Sequence, residues 1–331
     1  MKNAKRLLIL LQSVSGIALI LAGVLLMVFG PPEFSRTAIR YEKLAELNSG
    51  EAGFPDLGGH FPAERLTRYR IGPKIGGGVE LDVAHYRDGQ GKPASALAYP
   101  PALAPAQQGS GPIRHELWEA TAKAILSHTG EDALFVSWWD DAQRIRFLTG
   151  RDSWIDAPVA KAFPDEKERK FWQQVGGGFS SDDSRLKQLA RWLSMDADLA
   201  LAEMDKLTPK NQPIYFLTCL DDLARLGEIK ALSGVKMPFE ARDFPQMAII
   251  HNQIAEVKRW VGENGSASYL VQQLPTGGVR AWRITNEVGI KTLFARLLPF
   301  TSSLANPLSN QSLVYQTGWG GYLSVYQWQR D

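Results

Sequence analysis

Hydrophobic positions along this chain form one long unbroken run, followed by many short alternating blocks. Leu7 to Gly30 reads LLILLQSVSGIALILAGVLLMVFG, with no charge and only Gln12, Ser13 and Ser15 as polar side chains. The run reaches the roughly 20 residues that a bilayer-crossing helix needs. Lys2, Lys5 and Arg6 precede it and Pro31-Pro32 stops it. A cleavable signal peptide would carry a shorter apolar region, about 7–15 residues, and a small-x-small cleavage site. This run is longer and ends in Val28-Phe29-Gly30-Pro31, so the expectation is an uncleaved anchor. Arg36, Arg40 and Lys43 follow the run, but the basic residues of the tail lie nearer the bilayer and face no acid. The positive-inside tendency then keeps the N-terminus in the cytoplasm and exports the rest. The expected layout is a cytoplasmic tail over 1–6, a transmembrane anchor over 7–30 and a juxtamembrane segment over 31–112. A soluble domain over 113–331 completes it. This is a single-pass protein of the cytoplasmic (inner) membrane, with the lipid bilayer as a partner and the domain in the periplasm.

Beyond the anchor the pattern becomes short and mixed. Arg40 to Leu47 predicts a helix close to the membrane. Leu66 to Ile71 and Val79 to Tyr86 read as strands joined through Gly72-Pro73 and Gly76-Gly77-Gly78. Gly91 to Gly111, with Pro93, Pro100, Pro101 and Pro105 among many Ala, predicts an extended loop that sustains neither helix nor sheet. From Ile113 the chain alternates. Helices are expected over Ile113–Ser127, Ala142–Thr149, Glu166–Val175, Asp183–Leu193 and Leu199–Leu207. Others are expected from Leu223, over Gln253–Val261 and over Lys291–Leu298. Ala133–Trp138 and Ile214–Leu220 are continuous apolar runs fit for buried strands. Further strands are expected at Ser268–Gln273, Val279–Ile284, Ser312–Gln316 and Tyr322–Gln327. Strands alternating with helices predict an α/β fold with a mainly parallel sheet flanked by helices, and the closing hairpins predict antiparallel additions. In the last segment Trp319, Tyr322, Tyr326 and Trp328 alternate, as core or as a partner-facing edge.

Charge and cysteine content exclude several function classes. A formal net charge of +2 leaves no clustered basic excess of the kind that nucleic-acid binding leaves in a sequence. The single cysteine, Cys219, rules out an intramolecular disulfide and cysteine-rich zinc or iron–sulfur sites. It also rules out covalent c-type haem, which needs CxxCH, and no other cofactor is expected. Within an apolar strand Cys219 reads as a buried, inert thiol. His60, His85, His115, His128 and His251 form no i, i+4 pair and no HExxH, so no metal site is assigned. Gly76-Gly77-Gly78 and Gly176-Gly177-Gly178 match neither phosphate-loop spacing and read as turns. Ser194, Ser302 and Ser303 lack a GxSxG context.

One internal similarity carries candidate chemistry. Phe135-Val136-Ser137-Trp138-Trp139-Asp140-Asp141-Ala142-Gln143-Arg144-Ile145 aligns with Phe216-Leu217-Thr218-Cys219-Leu220-Asp221-Asp222-Leu223-Ala224-Arg225-Leu226. Each unit is a buried strand, an Asp-Asp step and a helix start. An Asp there caps the helix and its charge suits the helix N-terminus. If the two strands are neighbours, Asp140, Asp141, Asp221 and Asp222 gather at their carboxyl ends, where open α/β sheets bind ligands. Two readings follow: helix caps partly neutralised by Arg144 and Arg225, or a cluster that holds a hard cation or a polar ligand. Nearby, Arg144, Arg146 and Arg151 with Asp152 and Asp156 lie beside Trp138, Trp139 and Trp154. They read either as a solvated surface or as a Trp-lined recognition pocket.

Trp138-Trp139-Asp140 after an apolar strand resembles the start of the WWDYG motif in the soluble part of oligosaccharyltransferase catalytic subunits. In that family the motif helps to recognise the acceptor peptide. Here Asp141-Ala142 replaces Tyr-Gly and the many membrane helices that house catalysis are missing. More broadly, one short anchor plus a domain containing FVSWWDDAQRIRFLTGRDSW resembles the HaoB family of hydroxylamine oxidation proteins. These are encoded beside the multihaem hydroxylamine oxidoreductase of ammonia- and methane-oxidising bacteria. The resemblance covers most of the chain and implies a periplasm-facing accessory protein, with that oxidoreductase as partner; it brings no catalytic residues. Two functions stand side by side. One is a non-enzymatic accessory protein of nitrification that docks or supports the oxidoreductase, which the absence of a complete catalytic motif favours. The other is a ligand- or glycan-handling enzyme domain that uses the carboxylates near Asp140 and Asp221.

Overall fold

The computed structural model describes residues 40–72, 79–101, 110–155, 157–263, 268–274 and 278–330. The expected tail and anchor over 1–30 lie outside the described residues. Among the described residues, no helix is long and apolar enough to cross a membrane. Two units are distinguished, Met1–Lys43 with Arg70–Glu80 and Leu44–Tyr69 with Leu81–Asp331. In the first, Arg70 Nη2 donates to Glu80 Oε1 at 2.9 Å near the end of a hairpin. The second holds the core and the candidate site.

The first sheet has four strands in the order β1 (Arg40–Asn48), β2 (Ala63–Gly72), β3 (Val79–Arg87) and β4 (Pro93–Ala98). Two of these strands correct sequence expectations. The helix expected over Arg40 to Leu47 is β1. Tyr41, Leu44 and Leu47 recur every third residue, a helical spacing, but pairing with β2 decides the backbone and Ser49 N–H donates to Glu64 O at 2.8 Å. Gly91 to Gly111 is not loop throughout, because Pro93–Ala98 pairs antiparallel with β3, Arg87 opposite Pro93 and Asp82 opposite Ala98. Pro93 opens an edge strand, where a missing N–H is tolerated. The alanines then let the next layer approach closely, and Ala96 is fully buried.

The second sheet has five strands in the order β11-β12-β7-β5-β6: β5 (Leu134–Val136), β6 (Asp152–Ser153), β7 (Ile214–Cys219), β11 (Gln311–Gln316) and β12 (Leu323–Trp328). Pairing is parallel only for β5 with β6 and β5 with β7; β12 runs antiparallel to both β7 and β11. The fold is mixed α/β, and the expected mainly parallel sheet is corrected to mostly antiparallel sheets. Helical crossovers make parallel neighbours only around β5. In the same sheet the C-terminal hairpin of β11 and β12 returns to pair antiparallel with β7. β12 is an inner strand, so Tyr326 and Trp328 do not form a sheet edge.

Helices α1 (Ser110–His128) and α2 (Trp139–Thr149) share one apolar core with both sheets. That core brings Leu66, Tyr86 and Ala96 together with Trp118, Ile125, Phe135, Ile145, Phe147, Leu217 and Val325. Burying each large apolar side chain stabilises the fold by about 1.5–3 kcal/mol. α3 (Glu166–Val175), α4 (Ser184–Ser194) and α5 (Ala197–Leu207) form between β6 and β7, close to their expected spans. After β7 a 3₁₀ turn, Leu220–Arg225, leads into α6 (Leu226–Ser233).

A third sheet, β8-β10-β9, comprises β8 (Phe239–Phe244), β9 (Tyr269–Gln273) and β10 (Val279–Ile284), all antiparallel. It packs with α7 (Ile250–Gly262) through Phe244, Val257, Trp260, Val261 and Ala281. The helix expected over Lys291–Leu298 is two, α8 (Glu287–Lys291) and α9 (Leu293–Leu297). They divide at Thr292, which is extended at φ −62° and ψ 145° and whose Oγ1 accepts from Ala295 N–H. Two further short helices are α10 (Thr301–Ala305) and α11 (Gly318–Gly321).

Candidate functional site

The two similar strand–Asp-Asp–helix units are parallel neighbours. Leu134 lies opposite Ile214, Phe135 opposite Tyr215 and Val136 opposite Phe216. The spatial register is thus one residue out of step with the sequence alignment, which matches Phe135 to Phe216. Every residue of β5 and β7 is buried, so each chain must emerge and turn at the same edge. Asp140 and Asp141 enter the first turn of α2, and Asp221 and Asp222 enter the 3₁₀ turn beside it.

The expected aspartate caps form only in part. At α2 the N-cap residue is Trp138, which has an extended backbone and no side-chain cap bond. Asp140 and Asp141 contribute through charge at the positive helix end. After β7 the N-cap is Cys219, whose Sγ accepts from Asp221 N–H at 3.4 Å. Asp222 reaches back and accepts from Cys219 N–H at 2.9 Å, closing a capping box.

Arginines hold one oxygen of each aspartate at the start of α2. Arg144 Nη1 donates to Asp141 Oδ1 at 2.5 Å, its Nε donates to Leu97 O at 3.0 Å, and its guanidinium lies over Trp118 and Tyr99. Arg225 joins the two units: Nη2 donates to Asp140 Oδ2 at 2.6 Å and Nη1 to Glu228 Oε1 at 2.9 Å. Its guanidinium carbon lies 5.5 Å from the Trp139 ring centre and 5.2 Å from that of Trp172. Glu228 Oε2 accepts from both neighbouring indoles, Trp138 at 3.1 Å and Trp139 at 2.9 Å. Trp139 is fully buried and Trp138 is 3% exposed, so the WWD-like step is interior.

The rim is the most exposed part of the cluster. Asp221 accepts from Arg114 Nη2 at 2.9 Å and Gln272 Nε2 at 3.2 Å on one oxygen, and from the Tyr322 hydroxyl at 2.7 Å on the other. Arg114 Nε also donates to that hydroxyl at 3.0 Å. The side chains of Arg114 and Asp221 are 26% and 33% exposed.

This environment shifts the titrating groups. Burial pushes Asp141 up to about 7; Arg144 opposes the shift, while Asp140 and Asp221 add to it. Burial, then the charges of Asp141 and Asp140, drives Asp222 well above the usual carboxylate range against the pull of the Cys219 N–H. Burial, then the charges of Asp221, Asp141 and Asp222, pushes the Cys219 thiol far up, which removes it as a nucleophile at neutral pH. For Arg225 burial favours loss of the proton, but Asp140 and Glu228 outweigh it and the guanidinium stays charged.

Other expected site residues are placed elsewhere. Arg151, beyond the far end of α2, donates to Thr129 O at 3.0 Å and Thr129 Oγ1 at 3.3 Å. Trp154 packs on Trp192 at 5.7 Å beneath Arg185, so the three indoles do not converge on one pocket. Arg146 approaches Asp152 at 3.9 Å, and Asp156 lies outside the described residues. His85 bridges Thr67 and Ser95, and His115 Nδ1 meets Tyr99 O at 2.6 Å. Among the described residues no three His, Cys, Asp or Glu side chains are placed to hold a metal. Gly177 and Gly178 form a left-handed turn after α3, with φ of 74° and 117°, and a Cβ on Gly177 would meet Ser95 Oγ at 3.2 Å. Sequence reasoning missed Glu228, Arg114, Tyr322, Gln272, Trp118 and Trp172. Of these only Glu228, three residues after Arg225 on the same helical face, left a local signal.

Comparisons with known proteins give a family and similar solved structures. A family model described as "HaoA-associated protein HaoB" matches residues 9–328. No curated protein matches the chain. Among solved structures, the C. jejuni PglB C-terminal domain is similar over 64% of this chain and 99% of that chain, at 12% identity and a TM-score of 0.39.

Proposed function

Because this chain belongs to the HaoB family of HaoA-associated nitrification proteins, we propose that it is a membrane-anchored accessory protein whose folded part lies in the periplasm and docks on or supports a multihaem hydroxylamine oxidoreductase of the HaoA type. The family match over residues 9–328 carries this reading, since it takes in both most of the apolar run Leu7–Gly30 and the folded domain. The site supports it from the other side. A catalytic carboxylate must present an oxygen to a reactant, whereas Asp140 and Asp141 are buried and held by Arg225 and Arg144. Their geometry ties two chain segments together. That makes a ligand- or glycan-handling enzyme the weaker alternative.

Affinity capture of the tagged full chain from detergent-solubilised native membranes tests the proposal. The expected result is co-purification of a HaoA-type multihaem protein. Recovery of the chain alone, with that protein left in the periplasmic fraction even after mild cross-linking, would overturn it.

A further inference from the structure

The junction between α2 and the turn after β7 buries more acid than base. Asp140, Asp141 and Asp222 are buried and the Glu228 side chain is 12% exposed, yet among the described residues only the guanidiniums of Arg144 and Arg225 lie with them. Fully ionised, these six groups would carry two uncompensated negative charges. The positive end of α2 offsets roughly half an elementary charge. The Cys219 N–H contributes one hydrogen bond to Asp222. At the rim, Asp221 is matched by Arg114 of α1 and brings no surplus of base. Glu168 of α3, which acts on Glu228, adds further negative charge. Tyr99, Tyr322 and the Cys219 thiol are neutral at physiological pH and supply no cation. Asp140 Oδ1 and Asp141 Oδ2 are buried without a hydrogen-bond partner among the described residues. A buried charge without a partner is removed most readily by taking up a proton.

We propose that Asp141 and Asp222 hold a proton between them at neutral pH, so that the junction of the two Asp-Asp turns is a proton-loaded clasp that alkaline conditions loosen. Asp140 is paired with Arg225, and Glu228 with Arg225 and the two indoles; Asp141 keeps a buried oxygen without a partner, and Asp222, the one of the four acids with no guanidinium bonded to it among the described residues, accepts from the Cys219 N–H. Burial raises both in the same direction. Removal of the proton by hydroxide sets carboxylates of α2 and of the 3₁₀ turn against one another, and the two segments separate at this point. The inference does not depend on the partner proposed above.

Infrared spectroscopy of the full chain in detergent, titrated from mildly acidic to alkaline pH, tests the clasp. The protonated-carboxyl stretch is expected at neutral pH, is lost on alkalinisation, and is abolished in the Asp141→Asn/Asp222→Asn double variant. Each single variant copies the shape of the protonated acid and is expected to fold, with thermal stability less sensitive to alkali than the wild type. No protonated-carboxyl band in the wild type at neutral pH, or a band that survives in the double variant, overturns the proposal. If the double variant does not fold, the wild-type band and its loss in Asp222→Asn alone decide the matter.

Discussion

Arg225 donates from Nη2 to Asp140 Oδ2 at 2.6 Å, joining the turn after β7 to the first turn of α2 across 85 residues of chain. The same guanidinium holds Glu228 and packs against two indoles, so one side chain organises most of the junction.

Replacing Arg225 by Met keeps the apolar bulk but leaves Asp140 and Glu228 buried without their cation. Breaking a buried pair in this way costs about 3–5 kcal/mol. Urea denaturation is expected to show a loss of that size. A change below roughly 1 kcal/mol, the range of exposed pairs, would mean that solvent reaches the cluster.

Glu228→Ala removes the shared acceptor of Trp138 and Trp139. Leaving such buried donors unmet costs about 1–3 kcal/mol. Stability is expected to fall by that amount and the near-ultraviolet dichroism of the indoles to weaken, with partial recovery in Glu228→Gln, whose amide oxygen still accepts. An unchanged aromatic spectrum in Glu228→Ala would contradict the shared acceptor.

Asp141 gives a pH dependence of defined sign. Its folded-state value of about 7 lies above the ordinary 3.8, so the folded state binds the proton more tightly than the unfolded chain. Its contribution to stability is complete below pH 3.8 and is lost as pH rises through about 7. The stability difference between wild type and Asp141→Asn should therefore fall steadily across that window. A difference that grows with pH would contradict the assignment.

Cys219 is predicted to resist thiol reagents in the native state, because burial and neighbouring acids hold the thiol protonated. Labelling by a disulfide exchange reagent should proceed only as fast as the protein unfolds. Rapid labelling without denaturant would place the thiol at an accessible surface.

The exported orientation is checked on cells. In spheroplasts, protease added outside should remove a C-terminal epitope, whereas protection until the membrane is opened would put the domain in the cytoplasm.

The Asp-Asp turns were legible before the fold because each is written locally: a buried strand, two acids and an arginine on the next helical turn. What made them one site, the parallel pairing of β5 with β7, followed from the repeat only as a condition. β1 was misread because Tyr41, Leu44 and Leu47 repeat at a helical interval, and β4 because Pro and Ala suggest a breaker where an edge strand needs small side chains. Arg114 and Tyr322 were invisible as site residues, and Glu228 showed only its spacing from Arg225, not its bond to the indoles. Their partners are 107, 101 and 90 residues away, and no local pattern encodes such pairings. Arg151 and Trp154 were included for proximity in sequence, yet α2 carries the chain about 16 Å from the Asp-Asp turn before Arg151 occurs, and Trp154, brought back beside β5 by the parallel β6, packs its ring on Trp192.

Association with the multihaem oxidoreductase is tested most directly with both proteins purified. The full chain in detergent, titrated with the HaoA-type protein and followed by light scattering behind size exclusion, should give a saturable complex of fixed stoichiometry. Two species that elute at their separate masses at every ratio would contradict the account.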